Sequence, residues 1–508
     1  MKKNKVIIIG SGIGGLVCGA ILSKEDYVVT VLERNKQIGG NLQTYARDKC
    51  IFDSGVHYVG GLSKGQNLFK IFNYLEIIDK LKMQKLDEEA FDRIIFADDS
   101  KEYKYAQGYD KFKKTLIEDF PEEKEAINKY CETIINCCEN FPLYQIKVGD
   151  YFSKSAFLEI DTQTFIESLT KNKRLQNVLA GNNLLYGGVR NKTPIYVHAL
   201  VLNSYIEGAY RFVDGGSQIA RLLCKIITNN GGVVKNRTEI KKININNGEA
   251  NYVETADGIK YYGDYFISNA HPVKTLEMLD TEIIRKAYRN RINGLENSVS
   301  VFTINISLKP NTFKYQKTNY YCFLNDDVWT SLDYTDETWP LSYCLFFSAS
   351  SKSNEYAGSI TLMSYMKYEE VEKWKDTFNT VLKPNSRGAD YIEFKRKKAE
   401  KLIDIVEKKF PGLRNSIHAY YSYTPLSLRD YMGTTDGALY GISKDYKDPL
   451  KTFISPKTKI PNVLLTGQNI NLHGILGVSI SSLVTCSEIL GLENLVNKIN
   501  HAQNPQMA

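Results

Sequence analysis

The 508-residue sequence has no run of about 20 apolar residues, the length a helix needs to cross a bilayer, so no membrane span is expected. Its nine cysteines include no CxxC pair. In a chain of this size they make neither a disulfide framework nor a zinc site, and they read as reduced thiols of a cytoplasm-like compartment; no metal is expected. Fixed-period repeats, low-complexity tracts and Pro- or Ser-rich linkers are also missing, which excludes a solenoid and a pair of tethered halves. No arginine-rich run stands out. The 65 basic and 58 acidic residues leave a net charge of +7, too thin over so large a surface to make nucleic acid the implied partner.

What is present suits a folded chain. Hydrophobic residues make up 43% and charged residues 24%, and the mean hydropathy is -0.32. At roughly 150 residues per domain the length predicts about three domain-sized portions, or two of which one is large. Arg285, Lys286, Arg289 and Arg291, interleaved with Ile283, Ile284, Tyr288 and Ile292, would suit a helix on an anionic membrane, although a solvated helix face is the preferred reading.

The N-terminus carries the sharpest signal. Val6-Ile7-Ile8-Ile9 reads as a strand buried on both faces, a helix is predicted from about Ile13 to Lys24, and Val28 to Leu32 reads as a second strand. Between the first strand and the helix stands Gly10-Ser11-Gly12-Ile13-Gly14-Gly15, a GxGxxG in the context that gives the pattern meaning. The first glycine permits the tight turn, the second lets backbone approach a pyrophosphate at the helix N-terminus, and the third lets helix and strand pack closely. Glu33 ends the second strand, where a carboxylate can bind the ribose hydroxyls of an adenosine. A dinucleotide site is therefore expected. The same stretch, led by Lys2, Lys3 and Lys5, imitates a signal peptide, but Gly12, Gly14 and Gly15 would weaken the required helix.

Further along, Glu33-Arg34 leads to Ile38-Gly39-Gly40-Asn41 and then to Asp53-Ser54-Gly55-Val56-His57-Tyr58. Gly208 to Gly216, a predicted helix from about Ser217 to Asn229, the strand from Ile240 to Ile243 and Phe266 to Pro272 follow in order. Near the end stand Tyr423 to Tyr431, Gly437-Ala438-Leu439-Tyr440-Gly441, Asn462 to Asn469, then His473-Gly474-Ile475-Leu476-Gly477-Val478 and a helix from about Ser479. Together these segments resemble the flavoprotein superfamily of phytoene desaturases, carotenoid isomerases and retinol saturases. The match spans both ends and the centre and leaves about 66–200 and 300–410 poorly covered. Asn41 departs from the arginine many members carry there.

The resemblance implies an α/β fold: a Rossmann-like FAD-binding domain of glutathione-reductase type, made of 1–65, 205–297 and 415–508, with an inserted α+β substrate region from 66–204 and 298–414. It implies FAD as cofactor, held by Gly10, Ser11, Gly12, Gly14, Gly15, Glu33, Arg34, Gly39, Gly40, Asn41, Ile240, Gly467, Gln468, Gly474, Gly477 and Val478. It also implies a hydrophobic lipid or polyene substrate that is saturated, desaturated or isomerised, an electron partner left open, and peripheral contact between a cytoplasmic protein and a membrane. Candidates for handling the proton are His57, His473, Tyr58 and Tyr440. The 34 tyrosines and 22 phenylalanines suit an apolar tunnel, though most are ordinary core residues. Two other readings stay open. A flavin amine oxidase shares the glycine and Glu33 signals, and a lipid carrier of the GDP-dissociation-inhibitor type shares the fold without using flavin.

Overall fold

The computed structural model describes residues 3–149, 155–279 and 282–502. Its organising element is a five-stranded parallel sheet in the spatial order Val233–Lys235, Val28–Leu32, Lys5–Ile9, Tyr265–Ser268 and Val463–Leu465. The central strand shows why a continuous apolar run is needed. Val6 and Ile8 enter the core beneath the helices, while Ile7 and Ile9 enter a second core on the opposite face.

Helix Ile13–Lys24 lies against helices Ser217–Asn229 and Gly474–Leu490 over the first face. An antiparallel sheet of Ile240–Asn246, Glu249–Thr255 and Lys260–Tyr262 supplies Ile243 and Val253 to the second core. The final long helix starts at Gly474 rather than near Ser479. Gly477 serves close approach and not a loop, since a Cβ there would come within 2.7 Å of the Leu472 Cβ.

A second, seven-stranded sheet runs in the order Ile417–Tyr423, Ser300–Leu308, Ser359–Met366, Ser342–Phe347, Asn319–Phe323, Asp92–Phe96 and Glu102–Tyr105. Only the pairing of Asn319–Phe323 with Asp92–Phe96 is parallel. The sheet thus joins strands from both segments read as insertions. Its edge strand Ile417–Tyr423 lies beyond the boundary expected at 414, so the second sheet reaches further into the chain than that boundary allows. Helix Ala389–Lys409 covers one face, and helices such as Lys124–Glu139 and Ile195–Glu207 cover the other.

The basic segment 283–292 packs inward. Ile284 and Ile292 are buried, and Arg289 and Arg291 donate to protein carbonyls, among them Leu276, Leu279 and Phe453. Ile283 is exposed, but with Ile284 and Ile292 buried the apolar residues do not form a continuous membrane-facing stripe. Among the described residues no helix is long and apolar enough to cross a membrane, and all nine cysteines are free thiols.

Candidate functional site

At the C-terminal ends of the parallel strands the chain leaves a cleft of about 620 Å³, where an open α/β sheet receives its ligands. Gly10 makes the turn out of the first strand at a φ of 92°, and its N–H donates to the Leu32 carbonyl at 2.8 Å. Gly10, Gly12, Gly14 and Gly40 line the cleft, so its floor is largely backbone. Gly15 faces the strand instead, where a Cβ would stand 2.2 Å from the Gly10 oxygen.

Glu33 lines the cleft and is nearly buried. One carboxylate oxygen accepts from the Ser11 N–H and hydroxyl at 2.9 and 2.7 Å, and the other from the Asn35 N–H at 2.8 Å. The Ser11 oxygen also accepts from the Gly39 N–H at 3.2 Å. Ser11 and Gly39 therefore brace Glu33 from behind and do not line the cleft. Arg34 borders the cleft but spends its guanidinium on the Asp430 and Tyr431 carbonyls, at 2.8 and 3.2 Å, which ties down the segment closing that end.

Ile13, Asn41, Gln468 and Val478 line both this cleft and a neighbouring cavity of about 170 Å³, so the two spaces adjoin. At this junction the buried Oδ1 of Asn41 has no hydrogen-bond partner. A buried acceptor left unpaired is costly, and a donor on a bound molecule would satisfy it. Ile240 lines the cleft and Gly474 and Gly477 the cavity, whereas Gly467 lines neither space.

All four proton-handling candidates, His57, Tyr58, Tyr440 and His473, line the 170 Å³ cavity, although they come from opposite ends of the chain. Their commitments differ. His57 stacks on Phe346, with ring centroids 4.6 Å apart and planes 6° from parallel, and burial pushes its pKa down to about 4, with Arg211 adding to the effect. Tyr58 donates its hydroxyl to Asp92 at 2.8 Å and accepts from the Tyr321 hydroxyl at 2.6 Å, and neither partner lines the cavity. Burial raises Asp92 to about 7 against the lowering pull of Asn319 and Tyr58.

Tyr440 and His473 form a pair, their ring centroids 4.6 Å apart. The consecutive carbonyls of Leu184 and Leu185 hold them: Tyr440 donates to the first at 2.6 Å and His473 Nε2 to the second at 3.1 Å. A carbonyl can only accept, so Nε2 carries the hydrogen and Nδ1 keeps its lone pair. Burial lowers His473 to about 4, so the ring is neutral at neutral pH.

Asn269 was not among the residues expected from sequence. A Cβ on Gly12, Gly14 or Gly467 would come within 2.7, 2.5 or 2.6 Å of its carboxamide, so three glycines from both chain ends close around one side chain. The Gly467 that the sequence reading assigned to the cofactor thus serves this brace. His271 also lines the cleft.

A sequence profile for the NAD(P)-binding Rossmann-like domain matches residues 8–75. All-trans-retinol 13,14-reductase of Rattus norvegicus is 28% identical, the alignment covering 96% of this chain and 86% of that protein. Chloroplastic prolycopene isomerase of Daucus carota is 25% identical, with 97% and 81% covered. Among solved structures, putrescine oxidase bound to putrescine superimposes with a TM-score of 0.63 at 12% identity, over 96% of this chain and 99% of that one, a likeness of fold alone.

Proposed function

We propose, from the premise that this chain belongs to the phytoene desaturase, carotenoid isomerase and retinol saturase family, that it is an FAD-dependent oxidoreductase acting on carbon–carbon double bonds of a polyene or other lipid. The observation that carries the reading is the junction at Asn41, where a backbone-floored cleft meets a cavity lined by all four proton-handling candidates. A dinucleotide with a long reach suits that continuity. The residues fit FAD: Gly12 and Gly14 would admit the pyrophosphate at the helix N-terminus, Glu33 the ribose, and the unpaired Asn41 Oδ1 a hydroxyl. Glu33 can still accept from a ligand, because a carboxylate offers about four lone-pair sites.

When bound, FAD supplies the two-electron redox chemistry. The chain's own residues would hold the substrate, keep out water and manage the proton. Phe346, Tyr205, Tyr423 and Met363 give the cavity apolar walls. Tyr440 and His473 are the proton-handling pair: the neutral imidazole can take a proton at Nδ1, and the tyrosine hydroxyl can release one by giving up its hydrogen bond to the Leu184 carbonyl. His57, flat against Phe346, is a wall of the site. In this reading segments 66–204 and 298–414 form the substrate region, and the remainder, apart from Ile417–Tyr423, binds FAD. Peripheral contact with a membrane belongs to the same proposal, centred on Leu450, which is 70% exposed beside Pro449 and Thr452 of an apolar crevice.

The test is the visible spectrum of the purified protein, followed by anaerobic reduction and addition of all-trans-retinol or a linear carotene. Recovery of the bleached flavin band as the polyene absorbance moves to shorter wavelength identifies a saturase. A polyene band that changes shape while the flavin stays bleached identifies an isomerase. Peroxide release with simple amines and indifference to polyenes would reverse the reading in favour of an amine oxidase. Absence of flavin, with none taken up on adding FAD, would leave the lipid carrier.

A further inference from the structure

Among the described residues Lys444 is an ammonium group without an anion. Its Nζ donates to the Thr452 carbonyl at 3.1 Å, and no carboxylate lies within 4.0 Å of it among the described residues. Together with Asn471 and Leu472 it lines two small spaces at once. One is an apolar crevice of about 60 Å³ walled by Phe141, Leu143, Tyr196, Leu200, Phe453 and Ile480. The other is a chamber of about 20 Å³ bordered by Tyr186, Thr193, Ser298, Tyr440 and His473. The crevice shares Tyr144, Leu200, Leu472, Gly477 and Ile480 with the 170 Å³ cavity, and the chamber shares Tyr440, Gln468, Leu472 and His473 with it. Three spaces therefore meet around Leu472, and among the described residues the cation on the wall shared by the crevice and the chamber is Lys444.

Resting on the polyene reading above, we infer that Lys444 is the recognition site for the carboxylate end of an apolar, unsaturated substrate, so that the preferred substrate is a lipid acid and not a hydrocarbon, alcohol or ester. Desolvating an ammonium is unfavourable unless a counter-charge returns the lost interaction, and a single carbonyl returns only part of it. Burial lowers the Lys444 pKa to about 8, which accords with a cation lacking its partner. Size argues for a carboxylate over a phosphate. A space of about 20 Å³ holds roughly one water-sized group, and one lysine offers too few donors for a phosphate's four oxygens. On the crevice side the surroundings are apolar, as the stem of such an acid requires, while the chamber adds the polar side chains of Thr193, Ser298 and His473.

The experiment is titration of the flavin-loaded protein with all-trans-retinoic acid, its methyl ester and all-trans-retinol at pH 7, followed by calorimetry or by quenching of tryptophan fluorescence. The wild type is expected to bind the acid about tenfold or more tightly than the ester and alcohol, as a charge-assisted hydrogen bond implies. Lys444→Met should erase that preference with little change for the ester, and Lys444→Arg should retain it. Equal affinity of the wild type for all three ligands overturns the proposal even if the variants do not fold, and so does a preference that survives Lys444→Met. An imine between Lys444 and retinal, formed with loss of water and trapped as the secondary amine by hydride from added borohydride, also overturns it by making the amine an imine former. Failure of flavin-loaded protein to bind any of the three removes the polyene reading itself, which distinguishes that failure from loss of acid preference alone.

Discussion

The nucleotide cleft and the cavity beyond Asn41 share four residues of wall, yet they offer a ligand different things. In the cleft the floor is glycine backbone, and Glu33 presents a carboxylate already braced by Ser11 and Asn35. In the cavity the polar groups belong to side chains from distant segments, and most are engaged with the protein: Tyr440 with Leu184, His473 with Leu185, Tyr58 with Asp92. A backbone floor tolerates almost no added atom, whereas a side-chain wall can lose a hydroxyl and keep its shape. The two regions should therefore respond to substitution in opposite ways, the cleft by losing its ligand and the cavity by losing rate.

The largest effect is expected at Gly14. A Cβ there would stand 2.5 Å from Asn269 Oδ1 and 3.0 Å from the Gly467 Cα, and neither neighbour can move without disturbing a strand end. Gly14→Val should abolish flavin retention, read as the ratio of flavin to protein absorbance after gel filtration, and should lower Tm. A variant that keeps a full complement of flavin would show the cleft to be as forgiving as the cavity.

Next in size is the strut that closes the cleft. Asp430 is wholly buried and accepts from Arg387, from Arg429 at 2.9 Å and from the Asn379 N–H at 2.7 Å, while Arg34 grips its carbonyl. Asp430→Ala leaves Arg387 buried without its anion, a loss of about 3–5 kcal/mol. Urea denaturation would measure it, and weaker flavin binding should accompany it, because the same segment lines the cleft.

Within the cavity a pair of tyrosines separates chemistry from support. Tyr440→Phe removes a hydroxyl next to His473 and should lower turnover by about 10²-fold with flavin content unchanged. Tyr58→Phe removes a hydroxyl directed at Asp92 and Tyr321, away from the cavity, and should cost stability while turnover changes by less than about threefold. The reverse ranking would move the proton-handling role to Tyr58. Since His473 and His57 are both lowered to about 4, the rate should show no histidine limb between pH 6 and 8.

The same contrast explains what could be read from sequence. The helix and second strand were legible to the residue, as Ile13–Lys24 and Val28–Leu32, and the first strand to within one residue, because the apolar period and the glycines are local. Between that helix and the second strand Asp26 makes the turn at a φ of 64° and pairs with Lys3. The start of helix Gly474–Leu490 differs from the expectation near Ser479, since glycines at 474 and 477 read as a loop, whereas Gly474 makes the turn into the helix at a φ of 74° and Gly477 allows close contact with Leu472. Strand Ile417–Tyr423 has no burial alternation to mark it. The cavity was legible only through resemblance. The Asn269 clamp joins residues 12, 14, 269 and 467, and the Tyr58–Asp92–Tyr321 network spans separations of 34 and 263 residues. No spacing rule reaches across such distances, because these contacts exist only once two sheets have formed.

The smallest expected effect concerns that network and depends on pH. Asp92 is fully buried, and its pKa rises from 3.8 to about 7 because burial outweighs the donors around it. A carboxyl whose folded pKa is raised contributes its stability in full below the unfolded pKa and loses it as pH climbs through the folded one. For Asp92 the loss therefore runs from about pH 4 to about pH 7. Asp92→Asn cannot ionise, so it escapes that loss while giving up one acceptor for Tyr58 or Asn319 at every pH. Its cost relative to the wild type should accordingly be greater at pH 5 than at pH 8, by on the order of 2 kcal/mol. Urea midpoints at the two pH values measure the difference. A cost independent of pH would mean that Asn319, Tyr58 and the nearby Arg211 keep Asp92 ionised throughout, and the support behind the cavity would then be an anion site and not a neutral one.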